Sequence, residues 1–588
     1  MGREKMIKRN LKKWENISDM QGMLYFVQRM DELLFHYSMD TYKVPTLNVK
    51  LLLQEYLNTV DSIKEGQLKD KNEVPVFEEI VWCLENDKIA QRVIGQSICE
   101  EFLKNNGSYD KGMKRKVCQL FLDKLTGKKY LEELEEELRN VIINNSKKQI
   151  DSYARNFVRE LTVLGYNSRY IFSRLNKIFY NSAVSDFSSM DMFFECFECK
   201  NKNYSVYLTI DKELAKFSGL LGEKLPQDSF CVLEDDDIPR GIQKIDGYNV
   251  VEIKNIRAYD EYSAYESAKN VIGLLDHFYS FFRYTGNGVY KNGFVKSDSG
   301  IKFIKEEVSG AERAKRTKSF EKSSLGALDL FNKATMNYEN LYKLSRIMEI
   351  HNMALGIKSP SNVLLGLWSI LELLLEKGET DNDHSRIFNI IDLVLPYLKN
   401  SYVEKLTLNL LLDLQRWDKR ELKSILARIT VGTTDVEKLF AFVSLKCYEE
   451  ERKKFYSKLE SFPLLRFRVY SLNDQFKKKN NIVKMISEHE KKVKWHLQRI
   501  YRARNCIIHD GDEISNIENL VENLLSYVDI ISERIIQKLG KGGVNYTVSD
   551  AIVEEILQAK EFEILSETLG DVNEENFTIF LYHGKKEN

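Results

Sequence analysis

The stretch Arg502-Ala-Arg-Asn-Cys-Ile-Ile-His509 sets two guanidinium groups, a carboxamide and an imidazole close together on what reads as the end of a helix. Val493, Leu497, Ile500, Tyr501 and Ile508 recur at helical spacing and form an apolar stripe, and Arg504 falls on that same stripe. A guanidinium on a core-facing stripe calls for an acidic partner, a substrate anion or a route to solvent, because burying it unpaired costs several kcal/mol. Glu372 is the obvious partner, as the only charge inside the apolar run Val363–Leu375. His509 precedes Asp510-Gly511, where the helix should stop. There its ring can stand clear of the core and titrate near neutral pH.

The elements that position these groups are mostly helices. Tyr130–Arg139 and Asn156–Leu164 each repeat apolar residues every third or fourth position, so residues 1–185 read as a helical N-terminal region. The period then changes. Ser205–Ile210 alternates like a half-buried strand, Asn249–Lys254 looks like another, and a long helix follows from about Tyr259 to Tyr284. The pairs Asn287-Gly288 and Asn292-Gly293 predict hairpin turns, since Asn-Gly supplies the positive φ that tight turns need. Residues 186–312 are thus expected to form a small α+β domain, with a basic, Ser-rich linker over Arg313–Ser324. Helices resume over 325–540, with an insertion at about 400–480. Ser515–Glu518 reads as a capping box opening an amphipathic helix that Gly540 should cap, and 541–588 reads as an acidic tail. The expected class is mainly α and multidomain.

The spacing of Arg504-Asn505-Cys-Ile-Ile-His509 resembles the signature of HEPN-domain ribonucleases: Arg, a polar residue that is often Asn, and His after a gap of four to six residues. The setting resembles that family as well: an apolar helix carrying one Glu, a long insertion, the motif helix, a short Asp-Gly loop and a last amphipathic helix. It is most similar to the ApeA-type HEPN domains of bacterial anti-phage proteins, over roughly 330–540. Two other pairs, Arg29–His36 and Arg346–His351, share the spacing but have Met and Ile after the arginine, and read as ordinary helix surface or core.

The resemblance implies a C-terminal HEPN-type bundle that cuts RNA, tRNA among the candidates, to 2′,3′-cyclic phosphate ends without metal or cofactor. His509 would serve as base or acid. Arg504 would neutralise charge developing on the phosphate, and Asn505 would orient the phosphate or the histidine. Positions five apart lie about 140° apart on an ideal helix, so Arg504 and His509 do not share one face; Arg502, Asn505 and His509 share one better. Either the helix ends before His509 or a second chain completes each site, and Arg502 stays open as the phosphate contact with Arg504 structural. The family usually faces two motif helices together, which implies a homodimer. The setting it implies is abortive infection, with residues 1–315 answering a phage-derived trigger. The alternative is a HEPN-like dimerisation scaffold in which Arg504–Glu372 is a structural ion pair.

Composition constrains the rest. Lys+Arg (87) and Asp+Glu (88) nearly cancel over 588 residues, so any basic surface is local. Lys477, Lys478, Lys479 and Lys484, then Lys491 and Lys492, lie just upstream of the motif and could steer RNA. The 8 cysteines are scattered, which reads as reduced thiols in a cytoplasm. No secretory leader or membrane span is expected. Cys196-Phe-Glu-Cys199 has ligand spacing without a second pair, and Glu234–Asp237 reads as an acidic loop rather than an ion site. No Walker loop, nucleophile elbow or dinucleotide fingerprint is present.

Overall fold

A computed structural model describes residues 9–34, 47–221, 230–242, 245–283, 289–298, 300–306, 338–357, 359–374, 383–509, 511, 514, 517–541 and 545–584. The chain is mainly α-helical, with one small antiparallel sheet in its middle region. It forms two compact units: residues 12–16 with 148–308, and the remainder, 1–11 with 17–147 and 309–588. The 1–185 stretch is therefore divided near residue 147, since the helices beyond that point pack with the sheet unit.

In the sheet unit five strands run in the order β2-β3-β1-β4-β5: β1 Lys202–Asp211, β2 Phe230–Val232, β3 Tyr248–Ala258, β4 Val289–Ser297 and β5 Gly300–Lys305. The alternation in β1 puts Val206, Leu208 and Ile210 into a core with Tyr265, Ala268 and Ile272 of the helix Glu261–Arg283. Asp260 starts that helix. Its buried carboxylate accepts hydrogen bonds from the backbone N–H groups of Tyr262 (2.8 Å), Ser263 (2.9 Å) and, across the unit, Asn167 (2.8 Å).

One turn expectation is corrected. Asn292-Gly293 lies inside β4, where Gly293 pairs with Ile304 on one side and Leu208 on the other. The glycine is there for close approach: a Cβ would meet the Tyr207 carbonyl oxygen at 2.9 Å and Leu208 Cδ2 at 2.7 Å. Asn287-Gly288, the linker Arg313–Ser324 and Ser515 lie outside the described residues.

The larger unit is a helical bundle. Its main core joins helices Tyr338–Gly356, Pro360–Leu374, Asp383–Asn400, Lys479–His509 and Ile517–Lys541, with Leu364, Leu367, Trp368, Leu371, Val394, Leu497, Leu524 and Ile531 at the centre. Pro360–Leu374 is the central helix its near-continuous apolar sequence predicts. Over the expected insertion, Tyr402–Leu426, Asp435–Ser444, Glu449–Lys458 and Pro463–Phe476 form a further helical layer, packed in part on Gln21–Leu33. Arg468 holds the contact, paired with Glu32 of that N-terminal helix and with Asp413 at 3.1 Å.

The C-terminal segment is no loose tail. Val548–Thr568 opens on a Thr547/Asp550 capping box and packs on the bundle, where buried Asn400 donates to Glu555 Oε1 at 2.9 Å. The helix before it runs through Gly540 to Lys541, so Gly540 is not its cap. Among the described residues no helix is long and apolar enough to cross a membrane.

Candidate functional site

The motif closes a 31-residue helix, Lys479–His509. Its sequence holds no glycine or proline, and Gly511, in the left-handed region at φ +66°, follows its end. This motif helix presents two polar surfaces of different character.

One surface faces the N-terminal helices Val49–Lys64 and Glu73–Asn86 and is sealed. Arg499 donates through Nε to Glu55 (2.8 Å) and through a terminal nitrogen to Glu79 (2.5 Å). Arg502 donates to the other oxygen of Glu55 and is only 5% exposed. Burial would raise the Glu55 carboxyl, but Arg499 and Arg502 together hold it down to about 2. Burial raises Glu79, and Arg499 offsets it only in part. Burial lowers the Arg499 guanidinium, yet Glu55 and Glu79 outweigh this and its affinity for the proton rises. His496, one turn earlier, is buried against the Tyr527 hydroxyl (3.1 Å); burial and then Arg499 push it down to about 3, so it is neutral. Trp495 extends the same contact, its ring tilted by 56° against that of Trp82 with centroids 5.8 Å apart.

The other surface lies at the helix end and is open. Arg504 keeps 27% of its side chain exposed; a terminal nitrogen is 3.8 Å from Glu372 and another donates to Asn505 Oδ1 at 3.0 Å. Glu372 also accepts from Trp368 Nε1 at 3.1 Å. Asn505 is buried, and its oxygen is oriented by Arg504. His509 is the last helical residue and is exposed. The stripe itself ends earlier than its spacing indicates: Val493, Leu497 and Ile500 are buried, whereas Ile508 is 47% exposed. Ile507 of the last turn still packs on the bundle core, and Ile508 and His509 are exposed.

The structure thus brings Arg504, Asn505 and Glu372 together in one contact chain. It sets Arg502 apart, turned to Glu55 and away from solvent, where no phosphate can reach it in this arrangement. The helix extends through His509, so it does not end before that residue, and Arg504 and His509 stay on different faces of it. Arg499, His496, Glu55 and Glu79 were not singled out from sequence. An arginine three residues ahead of Arg502, on the same side of a helix, is the one local sign.

The lysines upstream divide too. Lys478 and Lys484 are exposed, and Lys477 pairs with Asp474 at 2.7 Å. Lys479 Nζ reaches the Glu567 carbonyl at 3.4 Å. Lys491 and Lys492 lie over the Trp495 and Trp82 rings, at 5.0 and 4.7 Å from the centroids. Arg29 is buried beside Glu32, and Arg346 is an exposed residue paired with Glu349 at 2.7 Å. The Glu234–Asp237 stretch is an exposed turn. Among the described residues no three His, Cys, Asp or Glu side chains gather as a metal-holding group. No family model, curated protein or solved structure matches the chain.

Proposed function

We propose that the chain is an endoribonuclease of the HEPN type that cleaves RNA without a metal, with His509, Arg504 and Asn505 as its catalytic groups. The observation that carries the proposal is the contrast within one helix: Arg499 and Arg502 are neutralised in the interior, while Arg504 and His509 are left open at the helix end. His509 would draw the proton from a ribose 2′-hydroxyl or return one to the departing 5′-oxygen. Arg504 would move from its long contact with Glu372 to the phosphate, where bidentate donors stabilise developing charge. Asn505 would hold Arg504 or the phosphate in register.

A second copy of the chain would complete the site, because Arg504 and His509 point about 140° apart on one helix. Exposed Ile508 beside His509 is apolar surface that such a copy would cover. The N-terminal helices that clamp the motif helix through Glu55 and Glu79 are suited to control it, and a phage-derived trigger acting in abortive infection would work through them. Cleavage of RNA by purified protein in EDTA, with wild type beside His509→Ala, tests the activity.

A specific contact favours a second reading. Arg504 already has a carboxylate and an amide oxygen as partners, as it would in a scaffold whose helices only dimerise. The two separate on Arg504→Ala: a scaffold loses stability, whereas a nuclease loses cleavage and stays folded.

A further inference from the structure

In the sheet unit, the helix Glu261–Arg283 carries two apolar faces. Tyr265, Ala268, Ile272 and Leu275 lie in the core against the sheet. Val271, Leu274, Phe278 and Phe281 follow one another at spacings of three, four and three residues, with Phe282 beside them. These five are exposed, from 47% at Val271 to 76% at Phe282. At about 100° per residue their centre lies roughly a third of a turn from the buried face. One helix thus has a packed side and an uncovered apolar side. The uncovered side carries no lysine, arginine or carboxylate: the other exposed side chains among the described residues of this helix are Ser267, Asn270 and His277. Lys269 is turned to Glu306 at 2.5 Å. A helix face that meets water is normally charged, and 30% of this chain is Asp, Glu, Lys or Arg. The five side chains leave roughly 600 Å² of apolar surface open, the upper end of what a monomer leaves uncovered.

We propose that this stripe is covered by the same helix of a second copy of the chain, lying antiparallel about a two-fold axis level with Asp276. The spacing is that of a short coiled-coil seam. Side-chain size selects the occupant. Antiparallel pairing about this axis sets Val271 against Phe281 and Leu274 against Phe278, so every layer joins a smaller side chain to a larger one. A parallel copy would set Phe on Phe and Val on Val, crowding one end and leaving the other loose. The absence of charge points the same way. An isologous contact brings each residue close to its own counterpart, where a charge would meet its like. With Ser267, Asn270 and His277 as a polar rim, the face approaches the roughly 800 Å² per partner of a standard interface. The stripe belongs to the sheet unit, and its pairing rests on neither Arg504 nor His509, so it stands even where no RNA is cleaved.

The test is cross-linking of the full chain carrying His277→Cys with a short bismaleimide, beside sedimentation of the wild type at the same concentration. Cys231 and Cys447 are exposed, so wild type treated with the same reagent sets the baseline. In this pairing His277 lies beside its own counterpart, and the variant should yield a covalent dimer that wild type does not. Leu274→Asp added to it should lower that yield about tenfold or more, because each change enters the interface twice. Leu274 is exposed, so its replacement leaves the core intact. Phe281→Ser gives the same readout should the aspartate variant fail to fold. Pairing through the end of the motif helix alone would give no product at residue 277, which overturns this proposal and leaves the nuclease reading untouched. The proposal is also overturned if the wild type sediments as a monomer, including one that seats the stripe on phosphatidylcholine vesicles. A cross-link that forms as readily with Leu274→Asp overturns it too.

Discussion

Two arginine sites on one helix separate what holds this protein together from what it can use. At Arg499 and Arg502 two guanidinium groups meet Glu55 and Glu79, with both arginines and Glu79 nearly out of water and Glu55 keeping 17% of its side chain exposed. At Arg504 a single guanidinium reaches Glu372 at 3.8 Å and keeps a quarter of its side chain in solvent. The sealed cluster resists change because removing any member strands a buried charge. The open one gives up little when its partner is exchanged, since a long, part-exposed pair is worth about 1 kcal/mol or less. A group that must release a carboxylate and take a phosphate belongs in the second class. Burial therefore discriminates between arginines that spacing alone leaves equivalent.

The contrast can be broken most forcefully in the sealed cluster. Arg499→Met leaves Glu55 and Glu79 with only Arg502 between them, and urea unfolding should register a loss of about 3–5 kcal/mol. A much smaller loss would mean that the cluster is hydrated and that the two surfaces do not differ in kind. The double variant Arg499→Met with Glu79→Gln should cost less than the sum of the two single changes, because the second removes a charge the first has stranded.

Protonation provides the next largest effect. His496 and His583 are buried, and burial as the leading cause lowers both from 6.5 to about 3. A depressed pKa means that the folded state disfavours the proton. Their contribution is therefore fully present above about pH 6.5 and is lost as pH falls toward 3, on the order of 1–3 kcal/mol for each at pH 4. Chemical denaturation between pH 7 and 4 should show this decline, and His496→Phe should flatten it. A variant with an unchanged pH slope would show that His496 is open to water and that this surface is not sealed.

The open surface should barely register in stability. Glu372→Gln and Arg504→Ala should each cost about 1 kcal/mol or less, and His509→Ala, exposed at the helix end, about 0.5 kcal/mol or less. Thermal melts of the three variants measure this. If Arg504→Ala costs as much as Arg499→Met, Arg504 is a structural ion pair and the scaffold gains the argument.

Local patterns were legible where local rules decide the outcome. The apolar period of Val493, Leu497 and Ile500 found the buried stripe, and the near-continuous apolar run before Glu372 found the central helix. The alternation of Ser205–Ile210 found β1, and helix then sheet then helix follows in the expected order. The Arg504–Glu372 proximity was also readable, because a charge on the apolar stripe of one core helix and a lone charge inside another leave few partners. What escaped depends on distance in the chain. Glu55 and Arg499 are 444 residues apart in sequence, and nothing near either one names the other. Arg502 was left open as a phosphate contact for that reason. Asn292-Gly293 follows the chemistry of a turn yet sits in a strand, because neighbouring Tyr207 and Leu208 leave no room for a side chain. The acidic C-terminal segment resisted reading because its docking rests on buried pairs such as Asn400–Glu555 rather than on a strong apolar stripe.

The central claim is that Arg504 and His509 do chemistry while Arg499 and Arg502 do not. It meets its most direct test in RNA cleavage by the purified chain in EDTA, with end-group analysis, for wild type, His509→Ala and Arg504→Ala. Wild type should cut RNA to 2′,3′-cyclic phosphate ends. Both variants should lose about 10²-fold or more of the rate while melting within a few degrees of wild type. Cleavage that persists undiminished in the folded His509→Ala protein would contradict the claim, as would RNA that stays intact with the wild-type protein.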